Sequence, residues 1–355
     1  MRADLLIRGA RHALVCDDAS TVVDDASIAI ADGRIIAIGR ADELDVDAAR
    51  VIDASGCILL PGLVNLHTHL PMTLLRGVAE DVDLQGFLEL VWAEEARVMD
   101  EAGTELGARL GAVEALLGGT TTALDMYFHP EAAHRGAASA GLRHVIGPVF
   151  FSFPGPDGLA WEQRLELARR WPAILEDIGG PFVPYVLMPH APFTVETDHL
   201  RQIAGLAREF GGSVNTHCSE NDKENDDTIA SRGLRPVECL VASGVLALQP
   251  VLAHGVRLSE ADRAAVAQAR ASVAHCPGSN LKLASGAADF VGYRDEGIVV
   301  GLGTDGCSSS NDLDMFAVMR LAANLARLVH GDPAAISSRD VLRAATLDGA
   351  RALGM

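Results

Sequence analysis

Two histidines, His67 and His69, follow directly behind the apolar run Ile58–Val64. Side chains two residues apart on a β-strand share one face, so both imidazoles would aim at one point. Neutral imidazole is a preferred ligand of zinc and related divalent metals. A single His-x-His pair is a weak signal, and it indicates a metal site only if further ligands join it.

Further ionisable residues follow other apolar segments: His190, His217, Glu220, His254 and Asp305. Taken singly, His217 and His254 are typical of hydrogen-bonded core histidines, and Asp305 before Gly306 is typical of a turn. Together they would force one end of a barrel to bury several unpaired polar groups without purpose, which is costly. The pattern therefore predicts one site assembled from several strand ends.

The remaining histidines receive weaker interpretations. His275 lies at the end of the seventh predicted strand and is a secondary candidate, and His129 near the second is weaker still. The other five are interpreted as surface residues: His12, His134, His144, His199 and His330.

The elements that would position these residues repeat as strand followed by helix from Leu60 onward. The predicted strands are Gly62–His67, Thr120–Met126, Arg143–Phe150, Pro181–Pro189, Gly212–Cys218, Pro250–His254, Ala271–Cys276 and Ile298–Thr304. Helices are predicted between them, among them Glu101–Leu117, Thr197–Phe210 and Glu260–Arg270. Eight such units predict an α/β fold, a closed parallel (β/α)8 barrel over residues 58–355. The alternative, an open doubly wound sheet, would usually carry a glycine-rich nucleotide fingerprint, which this sequence lacks.

Residues 1–57 have a different texture, with short β-rich pieces separated by turns. Asp32-Gly33 between two such pieces predicts a tight hairpin. We expect a small, β-sandwich-like domain here. The sequence ends at Met355 with no further strands to complete it, so its sheet is expected to be partial, with C-terminal strands missing.

Composition narrows the partners. The formal net charge of −19 argues against nucleic acid and against a polybasic membrane contact. No leader-like or 18-residue apolar run occurs, and the six cysteines form no Cys-x-x-Cys pair, which favours the cytoplasm. We expect a small-molecule substrate and a homo-oligomer.

Four segments resemble the amidohydrolase superfamily and occur in its order: Pro61–His69, His217–Glu220, Ala253–Gly255 and Leu302–Gly306. Three others resemble its 5′-methylthioadenosine/S-adenosylhomocysteine deaminase branch: His69–Gly77, Asp125–Phe128 and Ser279–Leu283. Related deaminases and chlorotriazine hydrolases share parts of this second set.

The resemblance implies that one divalent metal ion is bound by four side chains: His67, His69, His217 and Asp305. Zinc is the first expectation, with Fe2+ and Mn2+ as alternatives. His254 would hydrogen-bond the attacking water, Asp305 would accept its proton, and Glu220 would shuttle protons to a ring nitrogen. Two-metal relatives commonly bridge their ions with a carboxylated lysine. The two lysines here, Lys223 and Lys282, are not placed to do so.

The resemblance also implies substrate contacts for His190, for Glu95 at the ribose hydroxyls, and for Phe87 upstream of it. An exposed helical carboxylate is the other interpretation of Glu95, and Glu94 is the alternative in register. No arginine matches those that would hold an amino-acid carboxylate, which leaves a smaller 5′-substituted adenosine open.

The function predicted is hydrolytic deamination of an adenosine-type nucleoside. The alternatives are a deaminase of the guanine, pterin or cytosine type, a chlorotriazine-type hydrolase, and a non-catalytic barrel that binds a partner.

Overall fold

The computed structural model describes residues 1–355, which form two compact units, Met1–Gly62 and Leu63–Met355. The predicted boundary between residues 57 and 58 falls just before a short strand, Ile58–Leu59. That strand pairs with the first strand of the chain, next to His12 and Ala13, so its residues belong to the N-terminal unit.

The N-terminal unit is one five-stranded sheet rather than two layers. Its strands are β1 (Arg2–Leu14), β2 (Val22–Ala31), β3 (Arg34–Arg40), β4 (Asp47–Asp53) and β5 (Ile58–Leu59). Antiparallel β2 and β3 meet at Asp32-Gly33, where both residues have positive φ angles of 50° and 69°. This is the predicted hairpin turn, because such a turn needs positive φ at both central residues.

The sheet order is β3-β2-β1-β4, with β5 also paired to β1, so β3 and β4 lie at its edges. Both edge strands expose branched apolar side chains: Ile35, Ile36, Ile38, Val51 and Ile52. In contrast, Ala3, Leu6 and Ala29 are buried and form a small hydrophobic core.

The second unit is the predicted (β/α)8 barrel. Its strand segments are β6 (Leu63–His69), β7 (Thr120–Asp125), β8 (Arg143–Val145), β9 (Val149–Phe150), β10 (Val186–Pro189), β11 (Ser213–Cys218), β12 (Val251–His254), β13 (Ser272–His275), β14 (Val299–Leu302) and β15 (Asp305–Gly306). All pairs are parallel, in the orders β14-β13-β12-β11-β10-β9 and β15-β6-β7-β8. Consecutive segments β8 and β9 form the third barrel strand, and β14 and β15 form the eighth, which links the two sheets into one ring.

Proline explains where the observed strands are shorter than predicted. Pro148 has no N–H to donate, and it separates β8 from β9 within the predicted strand Arg143–Phe150. Pro181 and Pro184 likewise precede β10, which begins only at Val186. Glycine permits the close approach at the break, because a Cβ at Gly147 would overlap the carbonyl oxygen of Val186.

Helices surround the barrel. They are α1 (Leu84–Val98), α2 (Glu101–Leu117), α3 (Pro130–Ser139), α4 (Trp161–Ile178), α5 (Thr197–Phe210), α6 (Asp222–Arg232), α7 (Pro236–Ser243), α8 (Glu260–Ala269), α9 (Pro277–Lys282), α10 (Phe290–Asp295), α11 (Cys307–Ser310), α12 (Met315–His330), α13 (Ser338–Ala344) and α14 (Leu347–Ala352). Two 3-10 helices span Leu70–Leu75 and Leu246–Leu248. The predictions for α2 and α5 are confirmed, and α8 ends one residue earlier than predicted.

Capping residues fix where several helices begin. The side chains of Asp83, Asp100 and Ser259 accept backbone N–H groups in the first turns of α1, α2 and α8. Such caps satisfy N–H groups that have no partner within the helix. None of the fourteen helices has the length and apolar character needed to cross a membrane.

Candidate functional site

The strand ends bring the predicted ligands together. His67 and His69 leave β6 with their ring centroids 4.9 Å apart, and their Nε2 atoms lie 3.4 and 3.1 Å from Oδ1 of Asp305 at the start of β15. His217 in β11 completes the cluster. The four ligand atoms of the cluster, one from each residue, all lie within 4.8 Å of one another. All four side chains are buried.

Hydrogen bonds fix the tautomers of two of these histidines. Nδ1 of His69 donates to the carbonyl of Met126 at 2.5 Å, and Nδ1 of His217 donates to the carbonyl of His190 at 2.8 Å. In its neutral form, each ring then presents an unprotonated Nε2, and these two nitrogens face each other at 3.3 Å. Two lone pairs at this distance need a shared positive partner.

Unpaired atoms complete the test of whether a cation fits. Neither ring nitrogen of His67 has a hydrogen-bond partner, and neither does Oδ1 of Asp305, although all are buried. The second oxygen of Asp305 is occupied, because it accepts from the hydroxyl of Ser309 at 2.7 Å. Three imidazoles and one carboxylate, each with at least one atom free, fit the donor set of a single divalent metal.

The pKa shifts of the four ligands also indicate that the site needs a positive charge. Burial lowers the pKa of His67 to about 4 and that of His217 well below its usual value, which favours neutral ligands. Burial would also lower the pKa of His69, but the carboxylate of Asp305, 3.1 Å away, outweighs burial and raises that pKa to about 9. The two histidines in turn hold the pKa of Asp305 well below its usual value, against the effect of its burial.

Glu220 and His254 lie beside this cluster. Nδ1 of His254 donates to Oδ1 of Asn280 at 2.8 Å, which leaves Nε2 free, 3.5 Å from Oε2 of Glu220. Both side chains are buried, and both line the same cavity as the ligands. Burial raises the pKa of Glu220, although the neighbouring His254 opposes the shift.

Glu224 is a residue that the sequence interpretation missed. Its side chain is buried and accepts the backbone N–H groups of Ser219 and Glu220 at 3.1 and 2.6 Å. Ser219 has a positive φ of 52°, an uncommon conformation for a residue with a side chain. Glu224 therefore holds the turn that aims Glu220 into the cavity.

Helix α1 forms one wall of the cavity. Its contributing residues recur at helical spacing: Leu84, Phe87, Leu88, Val91, Trp92 and Glu95. Residues at these spacings share one face of a helix, so five apolar side chains and one carboxylate point to one side. Met72, Phe128, Phe193 and Leu283 add further apolar surface. The cavity measures about 660 Å³ including its open mouth, and no lysine or arginine lines it.

Glu95, rather than Glu94, faces this cavity. Glu94 is turned outward to Arg97 at 2.7 Å, whereas Glu95 is 2% exposed and neither of its oxygens has a hydrogen-bond partner. Burial raises the pKa of Glu95 to about 7, although the nearby hydroxyl of Tyr127 lowers it. That hydroxyl is also buried without a hydrogen bond of ordinary geometry. The cavity lining therefore includes two buried polar groups, the carboxylate of Glu95 and the hydroxyl of Tyr127, without an ordinary hydrogen bond.

The other two predicted substrate contacts reach the same cavity. Phe87 is buried on α1, four residues before Val91. His190 follows β10, stacks on Phe151 with centroids 4.8 Å apart, and shares a hydrogen bond with Thr194 at 3.0 Å. Burial lowers its pKa to about 3, so its ring is neutral.

Two interpretations of histidines were wrong. His134 and His144, expected at the surface, are 4% and 1% exposed, because His144 lies on β8 and His134 on the inner face of α3. His275 is buried as a strand-end residue would be, but it lies beside Phe290 and not in the cavity.

Neither lysine lies between the ligands, in agreement with the prediction that no lysine bridges two metal ions. Lys223 pairs with Asp227 at 2.8 Å on the surface of α6. Lys282, at the end of α9, donates hydrogen bonds to Glu80 and Asn311, both at 2.8 Å.

Comparisons with known proteins agree with this geometry. The chain is 37% identical over 343 residues to a 5-methylthioadenosine/S-adenosylhomocysteine deaminase of Pyrococcus furiosus, which covers 96% of this chain and 80% of that protein. A zinc-bound adenosine deaminase structure from Xanthomonas campestris matches with a TM-score of 0.94 and 35% identity, over 99% of this chain and 80% of that one. A zinc complex of atrazine chlorohydrolase from Arthrobacter aurescens matches with a TM-score of 0.89 and 26% identity, over 99% and 83%. Residues 58–355 match the amidohydrolase family model, and the chain belongs to that family.

Proposed function

We propose that this protein is a zinc-dependent aminohydrolase that deaminates adenosine-type nucleosides with an uncharged, apolar 5′ substituent. One observation carries the proposal: a single cavity holds the buried Glu220 beside the ligand cluster and, on helix α1, the buried carboxylate of Glu95. The first group suits proton transfer to a purine ring, and the second suits the hydroxyls of a ribose. The similarity to proteins named as deaminases of adenosine derivatives supports the same reaction.

The ligand cluster would hold one zinc ion through His67, His69, His217 and Asp305. When bound, such an ion lowers the pKa of a water molecule toward 7 and makes hydroxide available at neutral pH. Asp305 would accept one proton of the attacking water, and Nε2 of His254 would orient that water toward the amino-bearing carbon of the ring.

Glu220 would act as the acid and then as the base. It gives its proton to the ring nitrogen next to the carbon under attack, and it later removes the remaining proton of the added hydroxyl group. The amino group takes the proton held by Asp305 and leaves as ammonia, so the enzyme returns to its starting state. The raised pKa of Glu220 supports this role, since a general acid works best when its pKa lies near the working pH.

The wall formed by α1 would bind the sugar and its 5′ substituent. Glu95 would accept hydrogen bonds from the ribose hydroxyls, and Tyr127 could share them, since both groups are buried and unpaired. Phe87 and Trp92 would pack against the 5′ group, and His190 would contact the base or sugar from the other side.

The charge of the wall supports an uncharged 5′ group. An amino-acid carboxylate would bring a negative charge into a cavity whose ionisable side chains are only histidines, carboxylic acids and one tyrosine. A buried charge without a partner is strongly unfavourable. A thioether such as the 5′-methylthio group has no such requirement.

The alternatives lack the pair of hydroxyls that a ribose would offer to Glu95. An alkylated chlorotriazine, guanine, a pterin or cytosine carries no sugar, so none of them supplies two neighbouring O–H donors to this buried carboxylate. A non-catalytic barrel would have no use for the paired positions of Glu220 and His254.

Ammonia release across a substrate panel tests the proposal. The zinc-loaded protein is assayed with adenosine, 5′-methylthioadenosine, S-adenosylhomocysteine, guanine, cytosine, a pterin and atrazine, with chloride release measured for the last. We expect 5′-methylthioadenosine to have the highest kcat/KM and S-adenosylhomocysteine a much lower one. Chloride release without deamination, or a preference for a free base, would contradict the proposal.

We also propose a cytoplasmic location and a homo-oligomer. None of the six cysteines forms a disulfide, which supports a reducing compartment. Light scattering of the purified protein measures the oligomeric state directly, and a monomeric mass would contradict this part.

A further inference from the structure

The two unexpectedly buried histidines belong to a chain of hydrogen bonds. Nε2 of His144 donates to Oδ2 of Asp125 at 2.8 Å, and Nδ1 of His144 lies 3.2 Å from Nδ1 of His134. With Nε2 committed as donor, the Nδ1 of a neutral His144 accepts, and His134 supplies the N–H. None of the three lines the active-site cavity, and the reaction described above uses none of them.

The far end of this chain reaches the metal ligand His69. The other carboxylate oxygen of Asp125 accepts the backbone N–H of Leu70 at 3.0 Å, the residue directly after His69. Next to Asp125, the backbone carbonyl of Met126 accepts a hydrogen bond from Nδ1–H of His69 at 2.5 Å. The backbone N–H of Met126 donates to the carbonyl of Thr68 at 3.0 Å. Asp125 and Met126 thus hold the segment 68–70 through three hydrogen bonds.

This arrangement replaces strand pairing where pairing fails. The register between β6 and β7 shifts between Asn65 and Thr68, and Leu70 begins a 3-10 helix whose next residue is proline. The N–H of Leu70 therefore has no ladder partner, and the Asp125 side chain supplies one. Because Asp125 is fully buried, it needs the N–H of His144 to offset its own desolvation.

We propose that Asp125, supported by His144 and His134, is a positioning residue that holds His69 ready to bind the metal ion. The three residues touch neither metal nor substrate, and they act through the backbone on either side of His69. Groups that orient a metal ligand from behind typically contribute 10- to 100-fold to metal affinity.

The test measures zinc affinity rather than deamination, so its outcome is independent of the substrate. A chromophoric chelator competes for zinc, which gives the dissociation constant of each variant, and the thermal midpoint of the metal-free protein reports folding. His144→Leu removes the donor to Asp125, and His144→Gln restores an N–H near the position of Nε2. Tyr185→Phe is the control, because it removes a partly buried hydrogen bond to Ala168 at 2.9 Å, away from the ligands.

We expect the zinc dissociation constant of His144→Leu to rise about 10- to 100-fold, that of His144→Gln to stay close to the parent, and that of Tyr185→Phe to be unchanged. If His144→Leu does not fold, Asp125→Asn decides, since it keeps the size and one acceptor oxygen but loses the charge, and it should show the same loss. A lowered thermal midpoint with parental zinc affinity in these variants overturns the proposal, as does a His144→Gln variant that binds zinc as weakly as His144→Leu.

Discussion

The two sides of the active-site cavity are built in different ways. On the ligand side, the four metal-ligating side chains lie at the carboxyl ends of strands, and the second polar atom of all but His67 is held by the protein, as Nδ1 of His217 is by the carbonyl of His190. On the substrate side, one helix, α1, supplies six of the lining residues. The barrel itself fixes the first side, whereas the second depends on a single element outside the sheet.

The difference extends to the polar groups left without partners. On the ligand side the free atoms, such as Oδ1 of Asp305 and the nitrogens of His67, converge on one point. On the substrate side the free atoms belong to Glu95 and Tyr127, which face a wide apolar surface. One side is therefore suited to a small ion and the other to an extended, partly apolar molecule. Changes in α1 should alter substrate choice without disturbing metal binding.

Removing a ligand should have the largest effect. Asp305→Ala deletes the only carboxylate of the cluster and leaves three imidazoles without a compensating negative charge. We expect zinc content to fall far below one per chain and deamination to fall to the background rate. Metal analysis of the purified protein and the ammonia assay check this, with the exposed Asp227→Ala as control. Stoichiometric zinc in Asp305→Ala would remove Asp305 from the ligand set.

Glu220→Gln should separate chemistry from metal binding. Glutamine keeps the size and polarity of the side chain but cannot shuttle a proton, and general acid–base catalysis typically contributes about 10²–10⁴-fold. We expect a loss of that size in kcat with zinc content unchanged. Glu94→Gln, at an outward-facing position of α1, is the matched control and should retain parental activity. Near-parental turnover in Glu220→Gln would show that the carboxyl group has another role.

The contrast between the two sides also explains what the sequence could predict. Strand ends of a parallel barrel meet at one face, so an ionisable residue after an apolar strand can be placed without knowing any loop. His67, His217 and Asp305 were found in this way. Glu224 and Asp125, which orient other residues without lining the cavity, could not be found in this way. Their roles arise from hydrogen bonds to backbone groups, which no sequence pattern reveals.

The interpretation of Glu95 lies between these cases. Leu84, Phe87, Leu88 and Val91 form an apolar stripe at helical spacing, and Glu95 continues that stripe while Glu94 does not. A carboxylate on the apolar face of a helix is a detectable signal, and it would have settled the register. The burial of His144 follows from its position within the predicted barrel strand Arg143–Phe150, which its interpretation as a surface residue did not take into account.

Glu95→Gln should have a moderate effect that depends on the sugar. Hydrogen bonds to charged groups contribute about 1.5–3 kcal/mol, so kcat/KM for 5′-methylthioadenosine should fall roughly 10- to 100-fold. The fall should be much smaller for 2′,3′-dideoxyadenosine, which lacks the hydroxyls. Zinc content should not change. Equal losses for both substrates would mean that Glu95 stabilises the wall rather than the ribose.

Phe87→Leu should have the smallest effect and the narrowest one. Phe87 is 5% exposed on the inner face of α1, and leucine keeps its apolar character but removes the ring. Aromatic contacts contribute about 0.5–1.5 kcal/mol beyond buried area, so kcat/KM for 5′-methylthioadenosine should fall roughly two- to tenfold. Adenosine, which has only a hydroxyl at the 5′ position, should lose less, and zinc affinity should stay at the parental value. Steady-state kinetics on the two nucleosides measures the difference. If both substrates lose activity equally and zinc affinity falls as well, α1 supports the ligand side after all, and the two sides of the cavity are not independent.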